Sequence, residues 1–156
     1  MNFHITGLPG AEFAPLFNLS PTELVQRAAV RKVVERFPGY PCRVSLRDAQ
    51  LGETVLLLNY EHLPALSPYR SNHAIYVRQG AVDACLAVNE IPESLQTRLL
   101  SLRAFDAAAM MLDADVLPGQ ELAGAIRRML ANPLVAFLHV HNAKQGCYAA
   151  RVDRAS

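Results

Sequence analysis

Glu53-Thr54-Val55-Leu56-Leu57-Leu58-Asn59-Tyr60 and His73-Ala74-Ile75-Tyr76-Val77-Arg78 are two apolar runs separated by the polar segment Glu61 to Asn72. They are the clearest strands in the chain, rich in Val, Leu, Ile and Tyr, with Gly52 before the first and Gly80 after the second. The segment between them is too long for a tight hairpin. It carries Glu61, His62, Tyr69 and Arg70, with Tyr60 and His73 at its ends. Long loops held by strong strands are where sites tend to be built.

Working outward, Asn2 to Leu8 reads as a first strand. Ser20-Pro21-Thr22-Glu23 is a capping box with proline at the first helical position, opening a helix through about Ala29. Val30 to Phe37 reads as a strand, Pro38-Gly39-Tyr40-Pro41 as a turn, and Ser45 to Ala49 as one helical turn. Pro92 to Thr97 suggests another helical turn. Arg98 to Phe105 and Ala109 to Val116 read as strands, although their Ala, Leu and Met content also suits helix. The best helix runs from about Gln120 to Ala131. Leu122, Ala125, Ile126, Met129 and Leu130 form one apolar stripe, and Asn132-Pro133 stops it. Leu134 to His141 is a strand, Gly146 opens a last strand over Cys147 to Val152, and the two predict a hairpin. Strands outnumber helices without alternating with them, so the fold class is α+β: one mainly antiparallel sheet with helices packed on it.

With 156 residues, half of them hydrophobic, the chain reads as one globular domain over 1–156. A chain of this length buries roughly 68–70% of its unfolded surface and needs no metal or disulfide to fold. The formal charge of +1, with signs interleaved, argues against nucleic acid. No apolar run approaches a membrane span, and the N-terminus has no signal-peptide pattern. Three widely spaced cysteines, Cys42, Cys85 and Cys147, read as reduced thiols of a cytoplasmic protein. Cys85, among Ala84, Leu86 and Ala87, reads as core, and Cys42 as a buried thiol.

Several phrases occur together: Pro41-Cys42-Arg43, Leu56 to His62, Ser67 to Arg78, His139-Val140-His141-Asn142-Ala143-Lys144, and Gly146-Cys147-Tyr148. In these the chain resembles a bacterial family of unknown function, numbered 1203. The resemblance implies a compact bacterial protein and implies no activity, so the chemistry is argued from residues.

His139 and His141 are two apart on a strand and share a face with Val135 and Phe137. Such a pair is half of a metal site, and Cys147 across the hairpin is the third ligand if it pairs with His141. A slip of one residue puts Tyr148 there and turns the thiol away. The other reading is two imidazoles bonded to backbone or water. Strict alternation puts Tyr60 and His62 on one face with Leu56 and Leu58, a proton donor beside a base. Arg70, flanked by Ser71, Asn72 and His73, suits a carboxylate or phosphate, or else ties the loop to Glu61. Asp113 and Asp115 read as a solvated edge or, less simply, a cation site.

The leading expectation is a cytoplasmic protein that binds a small anionic molecule in an Arg, His and Tyr pocket and acts on it by acid/base chemistry. His139, His62 and Tyr60 are the catalytic candidates, and Arg70, His73, Arg43 and Asn142 the ligand-binding ones. One alternative is a metalloprotein using His139, His141 and Cys147. Another is a non-catalytic protein in which an edge strand pairs two copies. No motif assigns a cofactor. The single-pocket reading requires Tyr60, His62, Arg70, His73, His139 and His141 to meet.

Overall fold

Leu56 and Ile75, at the centres of the two opening runs, lose all exposure to solvent. The computed structural model describes residues 1–156. Its strands in chain order are β1 (Phe3–Thr6), β2 (Ala29–Val33), β3 (Thr54–Leu63), β4 (Ser71–Arg78), β5 (Leu99–Phe105), β6 (Met111–Pro118), β7 (Phe137–Asn142) and β8 (Tyr148–Arg154). Three helices, α1 (Pro21–Gln26), α2 (Glu93–Gln96) and α3 (Leu122–Leu130), join them. The fold is α+β and every strand pairing is antiparallel. The expectation of a single sheet is corrected: there are two, of order β1-β8-β7-β5-β6 and β2-β3-β4.

Each sheet has its own apolar cover, which is why they stay separate. On the small sheet Leu56, Leu58, Ile75 and Val77 pack with Phe13, Leu24, Cys42 and Val44. Leu24 reaches this core from α1, whose start is fixed by the Ser20 box. Glu23 N donates to Ser20 Oγ at 3.2 Å and Ser20 N donates to Glu23 Oε2 at 2.7 Å. On the large sheet Leu100, Leu102, Leu138, Val140, Ala150 and Val152 pack with Leu122, Ile126, Met129 and Leu130 of α3. The stripe read from the sequence is the buried side of that helix.

The local corrections have local causes. Ser45 to Ala49 is no helical turn: Leu46 sits at φ +56°, a left-handed backbone that breaks the helical path. Cys85 is exposed, so its apolar neighbours do not carry it into the core. Asp113 and Asp115 lie exposed on β6, and Asp115 pairs with Arg128 at 2.7 Å.

Alternation along β5 and β7 decides what the other face of the large sheet carries. With Leu100, Leu102, Leu138 and Val140 turned to α3, Ser101, Arg103, His139 and His141 turn the opposite way. His139 stands opposite Arg103 and His141 opposite Ser101. Here the end of the β3–β4 hairpin meets the large sheet, bringing His62 against His139, His141 and Tyr148.

Candidate functional site

Two irregularities in the strands aim the site. Tyr60 pairs with His73 and Leu63 with Ser71, so Glu61 and His62 together oppose Asn72. This bulge interrupts the alternation that would keep His62 in the row of Leu58 and Tyr60. A second bulge lies on β8, where Val140 pairs with Ala150 but His141 with Tyr148, leaving Ala149 as the extra residue. The bulge thus sets Tyr148 across from His141, where an unbroken register would set Ala149, and Cys147 does not reach that position.

Four imidazoles converge between the sheets. His62 Nε2 and His73 Nδ1 are 2.7 Å apart, and His62 Nδ1 lies 3.4 Å from His139 Nδ1. Ser71 Oγ is 3.3 Å from His62 Nε2. His139 and His141 are buried and His62 and His73 half-buried. One coordinating atom from each of His62, His73 and His141 lies within 4.8 Å of the others. Tyr148 stacks on the His62 ring at 5.0 Å.

His141 shows which nitrogen is free. Its Nδ1 is 2.9 Å from the carbonyl oxygen of Gly146. A carbonyl only accepts, so Nδ1 carries the proton and Nε2 keeps its lone pair. Gly146 presents that carbonyl from a left-handed turn, φ +77°, which glycine adopts without strain. His141 Nε2 is buried and has no hydrogen-bond partner. A ring fixed through one nitrogen, with the other bare, is how metal-binding histidines are held.

The surroundings keep these rings neutral. Burial pushes His62 down to about 4, with the His73 and Arg103 charges adding to it. Burial likewise pushes His139 to about 3 and His141 to about 2, the latter against the Gly146 bond, which acts upward. His73 is lowered by burial and by Arg103. Burial also raises Tyr148 well above the ordinary phenol range. Neutral imidazoles offer lone pairs, and nothing acidic stands among them to hold a proton.

Beside His73 opens a cavity of about 490 Å³ whose walls include Arg36, Arg43, Arg98, Asn142 and Cys147, and no acidic residue. Arg98 is neutralised by Asp48 at 2.6 Å. Arg36 and Arg43 belong to no ion pair. Arg43 is only 2% exposed. Its Nε donates to Tyr148 O at 2.7 Å, its Nη1 to Pro41 O at 2.6 Å and its Nη2 to Cys147 Sγ at 3.0 Å.

The structure thus divides the residues singled out in the sequence. His62, His73, His139 and His141 meet. His73, Arg43 and Asn142 share the cavity. Arg70 joins neither group: its guanidinium bonds Glu61, at 3.2 Å for the closest contact, with its side chain 53% exposed. It braces the loop at the surface, and the single-pocket reading fails for it. Tyr60 packs on Phe13 at 5.6 Å and hydrogen-bonds none of the histidines. Cys147 is excluded from the histidine group by the β7–β8 register, which sets Tyr148 opposite His141, and is bound to Arg43 instead. Sequence reasoning missed Arg103, and it named Tyr148 only as the residue that a one-residue slip sets opposite His141, which is the pairing found. The alternation of Leu100, Leu102 and Ala104 points Arg103 inward, but the signal has force only once β5 is known to lie beside β7. The model of the family described as "Protein of unknown function (DUF1203)" matches residues 39–154. No curated protein and no solved structure matches the chain.

Proposed function

The chain belongs to the family of proteins of unknown function DUF1203, and within it we propose a metalloprotein that holds one divalent transition-metal ion on His62, His73 and His141. The observation that carries the reading is the bare, buried Nε2 of His141, fixed through Nδ1 and gathered with His62 and His73. A buried nitrogen lone pair without a donor is unfavourable unless something occupies it. Imidazole suits zinc, copper, iron and nickel rather than calcium or magnesium. Tetrahedral ligands about 2.0–2.1 Å from an ion stand about 3.3 Å apart. The observed spread, from the 2.7 Å pair to the 4.8 Å limit, brackets that value, so small rotations of His62 and His73 complete the site.

His139 has a different part in this reading. Its Nδ1 faces His62 Nδ1 at 3.4 Å. A hydrogen bond there leaves His62 Nε2 free to ligate, so His139 is a positioning residue. Three protein ligands leave a fourth position open, the pattern of a catalytic rather than a structural ion. Arg103, within electrostatic reach of all four rings, opposes a bare cation and favours an ion carrying an anionic fourth ligand. Metal analysis of untagged protein tests this. The expected result is close to one ion per chain, lost in His141→Ala while the circular dichroism is unchanged. Protein that takes up no zinc, copper, nickel or iron on titration overturns it.

A second reading is favoured by the cavity beside His73: a small anion binds there, held by Arg36 and Arg43, which have no carboxylate partner. A volume of about 490 Å³ suits a small molecule. Because His73 belongs to both the cavity and the histidine group, the anion would approach the ion from this side, and acid/base chemistry on it follows. Inorganic phosphate or citrate should raise the melting temperature of wild type and not of Arg36→Gln. Equal shifts in both proteins remove the cavity from the account. We propose separately that the protein works in a reducing bacterial cytoplasm, a reading supported by its three unpaired cysteines.

A further inference from the structure

We infer that Cys147 is the nucleophile of the arginine-lined cavity, placed to capture a small anionic electrophile. The inference rests on the anion reading of that cavity and not on the metal. Cys147 Sγ accepts Nη2 of Arg43 at 3.0 Å and Nδ2 of Asn142 at 3.4 Å. Two donors on one sulfur, one of them a fixed cation, are the surroundings of a reactive thiol rather than an inert one. Arg43 supplies a second reason. A buried guanidinium needs a counter-charge, and its remaining partners are the neutral carbonyls of Tyr148 and Pro41. The sulfur is the one group it touches that can become negative.

The third observation points to the occupant. Asn142 lines the same cavity, is 6% exposed, and leaves Oδ1 buried without a donor. A ligand bearing an N–H or O–H beside its anionic group satisfies it once the amide turns toward the cavity. The class that fits is therefore a small carboxylate or similar anion with an electrophilic carbon. In the reaction the sulfur electron pair forms the S–C bond. The leaving group departs with the electrons of the bond that breaks, and the thiol proton passes to solvent. Arg36 and Arg43 draw the anion in.

The chain carries its own control. Cys85 is exposed and Cys42 buried, so one alkylation experiment with peptide mapping by mass spectrometry compares all three. With limiting iodoacetate and native full-length protein in EDTA, Cys147 should be modified about tenfold or more faster than Cys85. With neutral iodoacetamide that advantage should shrink. Arg36→Gln should slow iodoacetate at Cys147 several-fold more than it slows iodoacetamide. Cys147 reacting no faster than Cys85, or the same ratio with both reagents, overturns the inference. If phosphate still stabilises the wild type in that case, the anion reading stands and only the nucleophile falls.

Discussion

His62 Nε2 and His73 Nδ1 face each other at 2.7 Å across the β3–β4 hairpin, close enough to share one proton. Their rings stack at 20°, and both are held neutral by burial. In the neutral pair one ring donates its N–H proton to the other's lone pair, and burial keeps either ring from taking up another. A metal ion would displace that hydrogen bond, the donor ring moving its proton to its other nitrogen, so both rings bind as neutral ligands. Zinc binding to metal-free protein at pH 6 in weak buffer should therefore release fewer than about one proton per ion, although unburied histidines are mostly protonated there. Release of about two protons or more per ion would show that the ligating rings are charged before the ion arrives.

The same histidines set the pH dependence of stability without metal. An unfolded histidine takes up its proton near 6.5. In the folded chain His62 does so at about 4, His139 at about 3 and His141 at about 2. The folded state thus binds fewer protons below 6.5, and stability must fall as pH drops from about 6.5 toward 4. Each proton taken up on unfolding contributes about 1.4 kcal/mol per pH unit. Urea unfolding in EDTA at pH 7.5, 5.5 and 4.5 measures the slope. His139→Phe should flatten it by about one proton. A slope unchanged by that variant would mean His139 titrates normally.

Ile126 tests the larger core. It has no exposure and belongs to the buried side of α3. Ile126→Ala should lower unfolding free energy by about 2–5 kcal/mol, the range for emptying such a site. A loss below about 1 kcal/mol would mean the helix does not close on the sheet as described.

Arg70 makes the opposite prediction. Its ion pair with Glu61 joins side chains 53% and 37% exposed, and exposed pairs contribute about 0–1 kcal/mol. Arg70→Ala should change stability by less than about 1 kcal/mol and leave metal content and phosphate response intact. A variant that lost either would return Arg70 to the site.

The contrast between Arg70 and the histidines shows what a sequence can carry. The row of Phe137, His139 and His141 was legible because a strand has a period of two and nothing on β7 interrupts it. The stripe of α3 was legible for the same kind of reason, at helical period. The two bulges were not. Each depends on which residue of one strand meets which residue of another. Polar, loop-like composition near Tyr60–His73 does not encode that register. The division into two sheets was hidden as well. It follows from Phe13, Leu24 and Val44 covering β3 and β4, contacts distant in sequence. On paper Arg70 looks better suited to an anion than Arg43 does. Only tertiary placement gives one a surface carboxylate and the other a buried sulfur.

Arg43 therefore gives the sharpest test of how the cavity wall is built. Its three nitrogens satisfy Tyr148 O, Pro41 O and Cys147 Sγ, and the side chain is almost wholly buried. Lysine brings one ammonium in place of a three-way fork, and it leaves at least one of those acceptors bare. An unsatisfied buried group costs about 1–3 kcal/mol, so Arg43→Lys should destabilise by at least that amount. Cys147→Ala removes one acceptor and, with it, the ionisable group that the guanidinium touches. If the sulfur holds the guanidinium, the two substitutions share an interaction and their effects cannot add. A urea double-mutant cycle should then show a coupling of about 1 kcal/mol or more. Strict additivity would mean that the carbonyls alone hold Arg43, and that Cys147 is free of it.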